Sequence, residues 1–294
     1  VGVPTAFVSH ARKYLFADLL ATVKAFAAKQ PEPAAVYVWL DIFSQYQHWI
    51  GDVGSERRTV NWDVVFELTI PAIGHTCFML APWEDPIPLQ RAWMLWEALS
   101  TLEAPKNATL SIEVPPAEAA SFETALFEDF DSIAKAVAEV DSRNAECFTP
   151  DDTRMIYEAI DRSVGHGALN QRVTDNLREW LAAEAKALVE GMPAGDEGRP
   201  GLLNSVGRML HGQGKYDEAE PLYREALKVR RETLGDRHPD TLSSINNLGA
   251  LLYNQGKYDE AELLFREKLK VSRESLGDSH KDTLVSINNL RALL

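Results

Sequence analysis

The chain has 294 residues, 45% hydrophobic and 25% charged, the ordinary make-up of a soluble globular protein and long enough for two domains. Its 30 Lys+Arg against 44 Asp+Glu give a formal charge of −14, which argues against duplex nucleic acid or an anionic membrane as main partner. Two cysteines, Cys77 and Cys147, without any CxxC spacing, offer neither a zinc site nor a disulfide framework and fit a reducing, cytoplasmic setting. The longest apolar run, VVFELTIPAIGHTCFMLAPW, is interrupted by Glu67, Pro71 and His75 and does not read as a membrane span. The sequence opens almost directly on a strand, with neither signal peptide nor initiator Met, as expected of a piece of a longer protein.

Taken in order, TAFVSH (5–10) reads as a short buried strand, and residues 13–29 carry apolar side chains at helical spacing. AVYVWLD (35–41) is β-branched and aromatic and reads as a second strand. A polar, glycine-containing loop follows from Phe43 to Arg58. Residues 61–74 read as a helix capped by Asn61, and HTCFMLAP (75–82) as a third strand. The next helix includes LQRAWMLWEALS (89–100), where Trp93 and Glu97 share one face and Ala92, Leu95, Trp96 and Leu99 form an apolar one. ATLSIEV (108–114) is a fourth strand and residues 116–130 a further helix. Near-continuous apolar strands alternating with helices predict a parallel sheet covered on both faces, whose ligands bind beyond the carboxyl ends of the strands. Those ends deliver Ser9 and His10, Asp41 and Phe43, and Pro82 and Trp83. No GxGxxG and no phosphate-binding GxxxxGK[ST] is present.

Residues 131–190 read as a helical connector, with Thr149 capping and Pro150 opening one of its helices, and GMPAGDEGRPG (191–201) as a flexible linker. The stretch GQGKYDEAEPLYREALKVRRETLGDRH at 212–238 then recurs as NQGKYDEAELLFREKLKVSRESLGDSH at 254–280, an offset of 42 that also carries Asn204 onto Asn246 and Asn288. Gly207 and Ala219 match Gly249 and Ala261 where two helices must approach closely, and Tyr223 and Phe265 fill the space beside them. These residues resemble the tetratricopeptide repeat (TPR), in the 42-residue form of kinesin light chains, over 200–294 and about two and a half units. The resemblance implies an all-α solenoid whose concave face binds extended peptides, with Asn204, Asn246 and Asn288 contacting the ligand backbone. Read without it, the same asparagines simply cap and solvate their helices.

FVSHARKYLFADL, YVWLDIFSQYQH and PLQRAWMLWEAL, in that order, resemble the TIR domain over residues 1–130. The likeness is greatest to the microbial-eukaryote type that precedes such repeats. This implies a flavodoxin-like α/β sheet of order 2-1-3-4-5. It also implies self-association and cleavage of NAD with release of nicotinamide, NAD being substrate and not a resident cofactor. The family's catalytic glutamate, in a Trp-Cys-x-x-Glu pattern, maps to Glu97 with Trp93 before it and Met94 in place of the cysteine. The chemistry suits a carboxylate, because breaking the nicotinamide–ribose bond builds positive charge on the sugar. Ser9, His10, Asp41, Phe43 and Trp93 are the accompanying candidates for nucleotide contact; no metal site is expected. Plain alternatives stand beside each: a solvated helical Glu97, a turn-capping Asp41, a hydrogen-bonded loop His10. Two functions are therefore expected: an NAD-cleaving signalling or immune-type protein regulated through repeats that bind a protein ligand, or a non-catalytic scaffold with the same two parts.

Overall fold

The computed structural model describes residues 3–9, 14–40, 62–104, 108–137, 139–147, 149–193 and 195–293. The chain divides into two compact units: Val1–Thr124 with Lys135–Trp180, and Ala125–Ala134 with Leu181–Leu294. Residues 131–134 and 181–199 thereby fall in the second unit and 135–180 in the first.

In the first unit, β1 (Ala6–Ser9), β2 (Val38–Leu40), β3 (His75–Met79) and β4 (Thr109–Glu113) form a parallel sheet of order β2-β1-β3-β4. Among the described residues there is no fifth strand. The second strand is shorter than its apolar run because Pro33–Ala35 form a 3-10 turn. Side-chain alternation sorts the strands onto two faces. Ala6, Val8, Cys77 and Met79 meet Leu19 and Phe26 of α1 (Phe16–Ala28) on one side. Phe7 and Trp39 meet Ile70 of α2 (Trp62–Ile73) and Trp93 of α3 (Ala92–Leu102) on the other. Two-sided coverage is why β1 and β3 are largely apolar and bury even Ser9 and Thr76.

Behind α3 lies α6 (Pro150–Arg162), begun by Pro150 and capped as the sequence predicts, with the Thr149 side chain accepting from the Asp152 amide. The helix read over 116–130 is two helices, α4 (Pro116–Glu128) and α5 (Phe130–Ala136), broken at Asp129. A single long helix, α7 (Gly165–Gly191), follows α6.

The second unit stacks α8 (Arg199–Gly212), α9 (Tyr216–Leu234), α10 (Pro239–Asn254), α11 (Tyr258–Leu276) and α12 (Lys281–Arg291), each packed on the next. The glycines matched in sequence mark the closest approaches. A Cβ on Gly207 would lie 2.7 Å from the Tyr223 ring, and one on Gly249 2.6 Å from Phe265. Gly214 and Gly256 turn the chain between helices at φ of +75° and +77°. Within the predicted linker at 191–201, Arg199 is anchored. Arg199 donates to the carbonyls of Val189 and Met192 and pairs with Glu225, so glycine and proline content misjudged it.

Ion pairs add to the apolar packing between successive repeats. Glu220 accepts from Lys257 at 2.7 Å and from Gln255 at 3.0 Å and pairs with Arg224, which reaches on to Glu260. The Lys257 hydrogen bond, helped by Arg224 and Gln255, pulls the Glu220 carboxyl down to about 2. A carboxylate whose folded-state value is lowered stabilises the fold above its ordinary value and loses that contribution as pH falls through the lowered one. Glu220→Gln is therefore expected to destabilise the array at neutral pH, by at most about 3 kcal/mol. The urea midpoints of wild type and variant should converge between about pH 4.5 and 2, the window bounded by the two values; a gap that persists at the acid end would remove the ion pairs as its cause.

Candidate functional site

Glu97 lies on α3, and the structure excludes the solvated reading of it: the residue is 4% exposed. Eight of the eleven residues of α3 are buried, because the helix is held between the sheet and the helices behind it. Its amino end is fixed as well, the Ala92 amide donating to the Glu146 carbonyl and the Glu146 amide to Gln90. Ser9, the last residue of β1 and 1% exposed, donates its hydroxyl to Glu97 Oε2 at 2.5 Å. A buried carboxyl group needs such a donor. One turn on, the Thr101 hydroxyl donates to the Glu97 carbonyl and shares a hydrogen bond with the Thr76 hydroxyl.

Of the remaining candidates, the structure brings Trp93 to the sheet, partly buried against the Phe7–Ile70 cluster. His10, Asp41 and Phe43 lie outside the described residues. Trp83, delivered by the third strand, is built into the fold: its amide donates to Glu118, its indole N–H to Ser121, and its ring meets Phe122 edge-on. Cys77 is a buried core thiol, as expected, and burial pushes its pKa up; burial does the same for Cys147, so neither is poised as a thiolate. Among the described residues no group of three or more His, Cys, Asp or Glu could hold a metal ion. Among them, too, no helix is long and apolar enough to cross a membrane.

Asn204, Asn246 and Asn288 sit one repeat apart on α8, α10 and α12, buried, half-buried and exposed in turn. Side-chain bonds that sequence reading missed engage the first two. Asn247 Nδ2 donates to Asn204 Oδ1 at 3.2 Å, and Asn289 Nδ2 to Asn246 Oδ1 at 2.9 Å. The second asparagine of each INNL thus reads the first asparagine of the preceding unit. Asn246 Oδ1 also accepts from Lys268 Nζ at 2.7 Å. Lys268 is 7% exposed, and burial lowers its pKa against the opposing pull of Asp282. The signal was present in the sequence: Lys268 stands where the preceding unit has Ala226. With both oxygens engaged, the Nδ2 groups of Asn204 and Asn246 have no hydrogen-bond partner among the described residues. Arg208, also on α8, pairs with Asp131 of α5 within the same unit.

Residues 199–274 match the family model of the tetratricopeptide repeat. This stretch is a tetratricopeptide-repeat array. A nucleotide-binding leucine-rich repeat (NLR)-like protein of Hyaloscypha variabilis is 44% identical over 44 residues, 15% of this chain and 4% of that protein. The chain therefore spans a small fraction of that relative. Among solved structures, BtubC (BKLC) from P. vanneervenii aligns over 60% of this chain and 80% of its own, at 17% identity and a TM-score of 0.37. A Podosopora anserina protein described as kinesin light chain with nearly identical TPR-like repeats aligns over 59% and 82%, at 15% identity and a TM-score of 0.38.

The TPR face offers a direct check of its wiring. Asn246→Ala leaves the buried Lys268 ammonium without its acceptor and should cost about 1–3 kcal/mol. Lys268→Ala restores the residue of the preceding unit and should be near neutral. The double variant should then recover most of the loss in a denaturant titration. Additive losses would show that the two side chains are not coupled.

Proposed function

We propose that this protein is an interaction-regulated signalling protein whose TPR array captures an extended segment of a protein partner. The observation that carries this reading is the orientation of the asparagines. The carbonyl oxygens of Asn204 and Asn246 are tied off by the following repeat, and their amide N–H groups, without a partner among the described residues, are left for the backbone carbonyls of an extended chain. Backbone recognition of this kind gives affinity with little dependence on sequence, and neighbouring side chains then select. The short likeness to an NLR-like protein supports a recognition or signalling setting. Asn288 is exposed and makes no side-chain hydrogen bond among the described residues, so Asn288→Ala should leave the unfolding midpoint unchanged. Random extended peptides displayed on phage and selected on the wild-type protein should bind this variant about five- to tenfold more weakly. Selected peptides that bind both equally would sink the reading.

A second reading, favoured by the Ser9–Glu97 pair at the carboxyl end of β1, makes the first unit a self-associating, TIR-like NAD-cleaving module that partner capture switches on. A carboxylate there is suited to hydrogen-bond ribose hydroxyls and to stabilise the cationic sugar as nicotinamide departs. The Ser9 hydroxyl holds the carboxylate until a sugar hydroxyl takes its place. Nicotinamide release from NAD should be seen for wild type under forced clustering and be lost, by about a hundredfold or more, in Glu97→Gln. Equal release from the two proteins, or none from either, leaves the scaffold reading alone.

A further inference from the structure

His166 stands at the start of α7, just after Gly165 turns the chain out of α6 at a φ of +78°. The imidazole is buried within the first unit. Its Nδ1 shares a hydrogen bond of 2.7 Å with the hydroxyl of Ser142, itself fully buried, and Tyr157 of α6 lies edge-on to the ring. Its Nε2 has no hydrogen-bond partner among the described residues. Asp161 Oδ1, on α6, is 3.9 Å from that nitrogen, too far to accept from it, and the Arg143 guanidinium is 4.0 Å from the same oxygen. Asp141 is the remaining charge felt by the ring. A second proton would thus create a buried N–H that nothing accepts. Burial, joined by Arg143, outweighs the pull of Asp161 and Asp141 and holds the imidazole below its ordinary pKa.

What His166 holds is a loop, and the loop holds α3. Ser142 is fixed by the imidazole through its hydroxyl and by Asn170 Oδ1 through its amide. The Tyr157 hydroxyl reaches the carbonyls of Arg143 and Ala145. Four residues past Ser142, the Glu146 amide donates to the Gln90 carbonyl and the Glu146 carbonyl accepts from the Ala92 amide. The next residue, Cys147, takes a hydrogen bond from the Trp93 amide on its sulfur. The first turn of α3, which leads to Glu97, is therefore tethered through residues 142–147 to one buried imidazole.

We propose that His166 is an acid-sensitive latch: protonation drives its ring out from between Ser142 and Tyr157, frees residues 141–147 and loosens the amino end of α3. The device concerns the seating of α3 and stands whatever chemistry Glu97 performs. A released imidazole takes up its proton as pH falls through the ordinary value of 6.5, whereas the seated ring resists it. The latched state is therefore at full strength above that value and loses ground to the released one below it. Between pH 7.5 and 5.5 the released fraction should rise about five- to tenfold.

Hydrogen exchange of the whole protein at these two pH values, corrected for the intrinsic pH dependence of amide exchange, reads the opening directly. The amides of Ser142, Glu146 and Ala92 should lose about five- to tenfold in protection at the lower pH, while those of β3 keep theirs. His166→Gln, which does not titrate, should remove this pH dependence whatever its basal protection. By NMR the Cε1 proton of His166 should titrate below 6.5 in wild type. In Asp161→Asn, where one attraction for the charged ring is gone, it should titrate lower still, a readout that does not need the glutamine variant to fold. Wild-type protection that is unchanged with pH, or a loss shared equally by β3, overturns the latch. So does a loss retained in His166→Gln, or a His166 that titrates at or above 6.5.

Discussion

The distance between the two helices of a repeat is set by a glycine facing an aromatic ring, and much of the second unit follows from that contact. Tyr223 and Phe265 occupy the space that a Cβ on Gly207 or Gly249 would need. Helices this close bring successive repeats into a fixed register. In that register Asn247 and Asn289 reach back to the preceding asparagines, and Arg224 and Arg231 reach forward to Glu260 and Glu267. Individually these polar contacts are modest, as partly exposed ion pairs are. Their repetition at one offset makes the array specific, since a slip of one residue would break all of them together.

A different constraint governs the first unit. Its sheet is covered on both sides, so Ser9 at the end of β1 is buried, and so is Glu97 on the helix that covers it. A carboxylate in such a place is costly unless something donates to it. The Ser9 hydroxyl does so at 2.5 Å, and the acid is thereby held at the end of β1. Whatever chemistry the site performs begins from a desolvated, hydrogen-bonded acid, a different starting point from an exposed glutamate on an amphipathic helix.

The repeats were legible because their signal is redundant: glycine, alanine and aromatic positions recur together and each constrains the same packing. The order of strands and helices in the first unit was legible from apolar runs of the lengths that buried strands take. Burial of Glu97 was not, because helical spacing placed it away from the Ala92–Leu95–Trp96–Leu99 face. That side of α3 meets the end of β1, with Glu97 bonded to Ser9 and Trp93 packed against Phe7, a contact that helical spacing alone does not report. The break at Asp129 and the anchoring of Arg199 were missed for a related reason. Glycine and proline report local freedom, whereas Arg199 removes it through contacts with Val189, Met192 and Glu225. Lys268 went unread because a lysine on a helix ordinarily implies solvent; its departure from Ala226 was the clue.

The sharing of residues 125–180 between the units bears on how the molecule can be cut. A piece ending near residue 130 would carry the sheet but strip away α6, whose Ile156 and Ile160 are fully buried, and would bare the back of α3. A piece beginning at residue 200 would lose Arg199 together with the carbonyls it clasps. Each half is whole only when it borrows sequence from beyond its apparent border, so separately expressed fragments drawn at the visible composition change would be incomplete bodies with apolar flanks exposed to aggregation.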